Sequence, residues 1–157
     1  MSFLVPYDQA LKPDEKAPPP AAFLPIEPDV PPGPYRLLEL YCSNPDCPCL
    51  EAVLQVFPPA SYHPIASIHV SLNPTDMPNP RLDSYDDPVP YAQALFMQIT
   101  RDLNRNPAYL SLLRAHYDQV KAVAADPSHP AHSTMLQWAS TGGGQLPPAI
   151  KRKKHHH

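Results

Sequence analysis

Residues 35–72 read YRLLELYCSNPDCPCLEAVLQVFPPASYHPIASIHVSL, three apolar runs separated by a cysteine-rich loop and a proline-rich turn. The last run, residues 65–72, alternates cleanly. Ala66, Ile68, Val70 and Leu72 point one way, and Ser67, His69 and Ser71 point the other. A period of two with one apolar side predicts a strand with one buried and one wetter face. Residues 51–57 repeat the pattern with Ala52, Leu54 and Val56. In residues 35–41, Leu38 and Leu40 share one face while Leu37 takes the other. The simplest topology joining these runs is a three-stranded antiparallel meander.

Beyond residues 73–88, which carry four prolines, the period changes from 2 to 3.6. Pro90 suits the first turn of a helix reaching about Asn104, with Leu95, Ile99 and Leu103 on one stripe beside Ala92 and Phe96. Asn106-Pro107 is a second start signal, a capping side chain followed by proline at the first helical position. The helix it opens runs to about Ala125 and lines up Leu110, Leu113, Tyr117, Val120 and Ala124. Pro127 and Pro130 stop it and restart a short third helix over residues 131–140, with Leu136 and Trp138 as expected anchors. Strands followed by helices predict an α+β domain over residues 35–140. A domain of this size buries a modest core, which a structural metal would reinforce.

On either side of that domain the composition shifts. Proline makes up 25 of the 157 residues, about three times the usual share, and ten of these lie in residues 1–34. Proline fixes φ and removes a backbone donor, so an extended arm is expected there. Phe3, Leu4, Val5, Tyr7, Phe23, Leu24, Ile26 and Val30 punctuate it with apolar groups. Such an arm reads as draped over its own domain or over a partner, or else as a disordered leader. Phe23, Leu24 and Ile26 are the candidate partner contacts. At the other end, residues 141–157 read as a flexible tail containing Lys151, Arg152, Lys153 and Lys154. These are four of twelve basic residues. Setting them aside against fifteen acidic ones leaves residues 1–150 at −7. The tail is either a basic handle for RNA or an acidic partner, or a solvated end carrying purification histidines. The acidic remainder argues against a generally basic nucleic-acid binder. No apolar run approaches the ~18 residues of a membrane span, and residues 1–10 lack the build of a secretory signal. A cytoplasmic protein is expected.

The chemical feature is Cys42, Cys47 and Cys49, spaced C-x4-C-x-C in a chain with no other cysteine. An odd number fits a disulfide framework poorly. Clustered thiolates are soft ligands, and zinc is their common ion in a reducing compartment. Pro45 and Pro48 lower the entropy lost when the loop closes on a metal. Asn44-Pro45-Asp46 is turn chemistry that would aim the sulfurs inward. A structural zinc site wants four ligands. His69 lies on the strand beside Glu51 but shares a face with serines. His63 sits at the far turn, and His129 and His132 form a short-spaced pair. His116, beside the apolar helix stripe, is either a packed histidine with a hydrogen-bond partner or a ligand joining helix to sheet. Water as the fourth ligand would leave the metal potentially catalytic.

The string Glu39 to Cys49 (ELYCSNPDCPC), with Asn106-Pro107-Ala108-Tyr109-Leu110 and Leu113-Arg114-Ala115-His116-Tyr117 downstream, resembles a group of uncharacterised bacterial proteins of the SEC-C-associated type. The similarity spans about residues 37–123. It implies zinc binding, carries no established activity, and raises His116 as the fourth ligand. The chain departs from the group at its end, where no terminal SEC-C motif follows Gly144.

Catalytic signatures are absent from the sequence. There is no glycine-rich phosphate loop, no H-E-x-x-H, no G-x-S-x-G, and no H-x-E before the cysteines. Asp83, Asp86 and Asp87 read as solvated loop carboxylates. The expectation is a non-enzymatic module held by structural Zn2+ that docks on a larger protein assembly through its arm and tail. The alternatives are an RNA- or ribosome-associated factor, with the tail, Arg101, Arg105, Arg114 and Lys121 on phosphates, and a zinc-dependent hydrolase.

Overall fold

A computed structural model describes residues 4–75, 77–85 and 88–140. In chain order the elements are β1 (Leu4–Pro6), a 3-10 turn (Tyr7–Ala10), β2 (Ala21–Phe23), β3 (Tyr35–Cys42), β4 (Glu51–Phe57), β5 (Ala66–Ser71), β6 (Arg81–Ser84), α1 (Ala92–Arg105), α2 (Pro107–Ala125) and α3 (His132–Ser140). The class is α+β. The expected meander is present as β3-β4-β5, but it is the middle of a six-stranded antiparallel sheet ordered β1-β3-β4-β5-β6, with β2 also on β3. β1 pairs the end of β3 through Val5 and Tyr41, and β2 pairs its start through Ala22 and Arg36. The proline-rich arm is therefore draped over its own domain, both of its strands sharing one edge of β3. Each is three residues long, too short to show alternation, and Pro6 is tolerated because β1 is an edge strand.

Register explains which side chains reach the core. Leu37 lies opposite Val56, Leu54 opposite Ile68, and Ala52 opposite Val70. These residues, with Tyr35 and Tyr41, pack against Leu95, Ile99, Leu113 and Val120 of the helices. The Leu37 face of β3 thus joins the core. Leu40, of opposite parity, is also buried but lies outside that cluster. Gly33 leads the chain into β3 with φ of +120°, a value that favours glycine, and a Cβ there would meet Pro59 Cγ at 2.7 Å.

The helices follow the predicted stripes. In α1, Leu95, Ile99 and Leu103 are buried. Asn106 caps α2, its Oδ1 accepting from the Tyr109 amide at 3.1 Å, with Pro107 in the first turn. The anchor of α3 differs from expectation. Met135 is fully buried, whereas Leu136 is 37% exposed. Trp138 packs at the edge of the core as expected. Leu136 lies about 100° round the helix from Met135, whereas Ala131 and Ala139 lie one turn either side of it and are buried with it.

Candidate metal centre

The loop between β3 and β4 carries the three cysteines. Asn44 Oδ1 accepts from the Asp46 amide at 3.0 Å, and the Asn44 carbonyl accepts from the Cys47 amide at 3.2 Å. This is the turn that Asn-Pro-Asp encodes. It reverses the chain so that Cys47 and Cys49 come back over Cys42. The three Sγ atoms lie within 4.8 Å of one another, and Cys47 and Cys49 approach to 3.0 Å. Tetrahedral zinc with bonds of about 2.3 Å separates its sulfurs by about 3.8 Å. The observed spacings bracket that edge, so the residues fit such an ion. All three thiols are free and half-buried.

Helix α2 holds this loop by its backbone. Tyr117 Oη donates to the Cys49 carbonyl. Lys121 Nζ donates to the Asn44 carbonyl at 2.6 Å and to the Cys47 carbonyl at 3.3 Å. Arg114 Nε donates to the Leu72 carbonyl at 3.0 Å, and the Leu72 amide donates to the Leu50 carbonyl at 2.8 Å. Residues 114, 117 and 121 are three and four apart, hence on one helix face. That face satisfies loop carbonyls and leaves the sulfurs free to converge. Lys121 also stands 5.5 Å from the centre of the Tyr117 ring.

The thiols differ electrostatically. Its hydrogen bond with Cys49, helped by Cys42 and by the Lys121 charge, lowers the Cys47 thiol from its ordinary value. Burial, then the hydrogen bond to Cys47 and the charge of Cys42, pushes Cys49 up to about 12. Burial and the neighbouring sulfurs push Tyr117 up to about 12 as well.

His116 stands outside the sulfur cluster. Its Nδ1 lies 2.6 Å from Glu39 Oε1, and its ring stacks on Tyr7 with centroids 3.6 Å apart and planes 11° apart. Glu39 Oε1 also accepts from Tyr41 Oη at 2.6 Å, and Tyr7 Oη donates to Gln119 Oε1 at 2.6 Å. Side-chain exposure is 8% for His116 and 12% for Glu39. The geometric reason is the helix turn. Position 116 lies about 100° round from Tyr117 and so faces the sheet interior rather than the loop. The sequence reading missed Glu39, although it shares strand parity with Leu37 and Tyr41, and a carboxylate on an inward face demands a partner.

His69 is also engaged, its Nδ1 2.9 Å from Glu51 Oε1 and its Nε2 3.8 Å from Asp83 Oδ2, while Arg81 holds Glu51 Oε2 at 2.5 Å. His63 is exposed. His129 Nδ1 accepts from the Ala131 amide, and His132 Nδ1 meets the Val123 carbonyl.

Of the arm residues, Phe23 is half-buried against Tyr35, whereas Leu24 and Ile26 are 67% and 65% exposed. They are held in that state by Gln98. Its Nε2 donates to the Leu24 carbonyl at 2.9 Å, and its Oε1 accepts from the Ile26 amide at 3.0 Å. Beside β2 opens a groove of about 410 Å³ lined by Phe23, Leu37, Ile99, Leu103 and Tyr109 among others. Lys151, Arg152, Lys153 and Lys154 lie outside the described residues, as do Asp86 and Asp87. Among the described residues no helix is long and apolar enough to cross a membrane.

Comparison with protein-family models, curated proteins and solved structures returns no match for this chain.

Proposed function

We propose that the protein is a non-enzymatic, zinc-stapled interaction module that docks on a larger assembly through its arm. The observation that carries this reading is the convergence of Cys42, Cys47 and Cys49 within 4.8 Å, on a loop whose carbonyls are held by Tyr117 and Lys121. Thiolates of this number and spacing make zinc the favoured ion. The docking half of the proposal is supported by Leu24 and Ile26, two large apolar side chains exposed on a backbone fixed by Gln98. A preordered segment loses little entropy on binding.

The RNA reading has less support. Of its four helix cations, Arg114 and Lys121 are already spent on carbonyls within the fold. Phosphate contacts would also weaken steeply with salt, whereas apolar docking would not.

Elemental analysis of the chain, purified without histidine-tag capture, tests the metal. One zinc per chain, lost in a Cys47→Ser variant, is the expected result. A metal-free, folded wild-type protein would leave the cysteines as packing or redox residues. Binding assays with Leu24→Ser/Ile26→Ser across salt concentrations test the docking.

A further inference from the structure

We infer that a pocket at the open edge of β3 binds a small primary ammonium, a short alkyl chain ending in a charged amine. The first ground is a gap in the sheet. β1 pairs β3 at Leu40, Tyr41 and Cys42, and β2 pairs it at Tyr35, Arg36 and Leu37. Leu38 and Glu39 lie between, paired to β4 on one side and, among the described residues, to no strand on the other. In an antiparallel ladder alternate residues turn both main-chain groups the same way. One of these two residues therefore turns its N–H and C=O toward the gap. The chain leaving β1, at Tyr7 and Asp8, and the chain approaching β2, at Pro18 to Pro20, wall the gap into a pocket of about 190 Å³. At about 30 Å³ per water this is the space of roughly six waters, so the occupant is compact.

The second ground is charge. The charged residues lining the pocket are Asp8 and Glu39, both acidic. Asp8 is exposed, whereas the Glu39 side chain is only 12% exposed. The bonds Glu39 makes to Tyr41 Oη and His116 Nδ1 both fall on Oε1, which leaves Oε2 to engage an occupant. The cations nearby in the fold or the chain are His116, Lys12 and Lys16. Asp8, Asp14, Glu15 and Glu39 outnumber them, so the surroundings stay acidic even with His116 charged. The Tyr7 hydroxyl is raised above its ordinary value by burial and then by the charges of Glu15 and Glu39, which reports the same negative field.

The third ground is the match of donor to wall. A carboxylate largely removed from water is costly unless it is paired. An ammonium carries three donors and no acceptor, which suits a carboxylate oxygen and a main-chain carbonyl together. The prolines and Tyr7 give its alkyl chain an apolar wall, and an aromatic ring adds attraction for a cation over its face. An anion would be repelled, and a neutral alcohol would leave the carboxylate charge unpaired. A bare metal ion fits less well, since among the described residues Asp8 and Glu39 belong to no group of three ligands close enough to hold one.

Titration of the full-length chain with n-butylammonium, followed by amide chemical shifts, tests this. Saturable shifts at Tyr7, Asp8, Leu38 and Glu39 are expected, with a Kd in the millimolar range for a ligand of five heavy atoms. 1-Butanol, of the same size and uncharged, should bind at least about tenfold more weakly. Glu39→Gln should weaken n-butylammonium about tenfold and leave 1-butanol within about threefold. Asp8→Asn, at an exposed position that the fold tolerates, should weaken n-butylammonium about twofold to threefold and decides the matter should Glu39→Gln fail to fold. Neutralising Lys151, Arg152, Lys153 and Lys154 to glutamine distinguishes the source of the amine. Tighter n-butylammonium binding in that variant would mean that the chain's own tail competes for the pocket, and unchanged binding would mean an amine from outside. Either result upholds the site. No saturable shift at the pocket overturns the inference, and so does 1-butanol binding as tightly as n-butylammonium, or n-butylammonium affinity that neither Glu39→Gln nor Asp8→Asn changes.

Discussion

Replacement of His116 by alanine separates a ligand from a core residue. The structure assigns the ring to the core, packed on Tyr7 at 3.6 Å and bonded to Glu39 at 2.6 Å. A hydrogen bond to a charged group contributes about 1.5–3 kcal/mol, and an aromatic stack adds about 0.5–1.5 kcal/mol beyond its buried area. The variant also leaves Glu39, a carboxylate whose side chain is 12% exposed, with one hydrogen-bond donor fewer. The expected cost is about 2–4 kcal/mol. In a chain of this length each kcal/mol moves the thermal midpoint by about 2–4 °C, so a fall of roughly 4–16 °C follows. Denaturation should be followed with metal chelated, so that the effect on the apo fold stands alone, and metal content should be measured in parallel. Zinc stoichiometry should stay at one per chain wherever the variant is folded. His116→Asn, whose amide can donate to Glu39, should recover part of the loss. The reasoning fails if His116→Ala loses its zinc while its chelated form is as stable as the chelated wild type.

Other expectations follow from the same structure. Burial raises the tyrosine hydroxyls of Tyr41, Tyr85 and Tyr109 above the ordinary value of 10.0. The native state therefore keeps protons that the unfolded chain releases. Stability should be fully present below pH 10 and fall as pH rises beyond it, which urea midpoints measured from pH 8 to 11 will show. Gln98→Ala removes both bonds to the arm and should cost about 1–3 kcal/mol, with faster hydrogen exchange at the Ile26 amide. In α3, Met135→Ala should cost about 2–5 kcal/mol, while Leu136→Ala, at an exposed site, should shift stability by about 0.5 kcal/mol or less.

Long periodic segments were legible in the sequence. Ala66 to Leu72 declared its face, Asn106-Pro107 declared the start of α2, and Leu95, Ile99 and Leu103 declared the buried stripe of α1. The outer strands were not legible, for different reasons. β1 and β2 are three residues each among prolines, and β6 offers a single apolar residue, Leu82, between polar neighbours. Such strands exist because a longer strand beside them has a backbone edge to fill, a tertiary effect with little local signature. The cysteine cluster was legible because metal-ligand spacing is local. The placement of His116 was not. Residues 116 and 117 are neighbours in the chain, and only the rotational setting of α2 against β3 sends one to Glu39 and the other to the Cys49 carbonyl.

That setting gives α2 two tasks, which Tyr117 shares. Leu113, His116, Tyr117 and Val120 are buried in the core, while Arg114, Lys121 and the Tyr117 hydroxyl clasp loop backbone. Because the clasp acts on carbonyls, the loop is positioned by the fold before any ion arrives. A metal bound there would add the closure of the eight-residue segment from Cys42 to Cys49, about 2–3 kcal/mol of loop entropy. A chain so built is expected to fold before its metal binds, unlike small domains that fold only on theirs. The core runs unbroken from Val5 through Leu54 and Ile68 to Val120, none of which belongs to the cysteine loop. Chelation is therefore expected to lower the thermal midpoint while leaving the fold intact, and a chelated chain that unfolds outright would refute this.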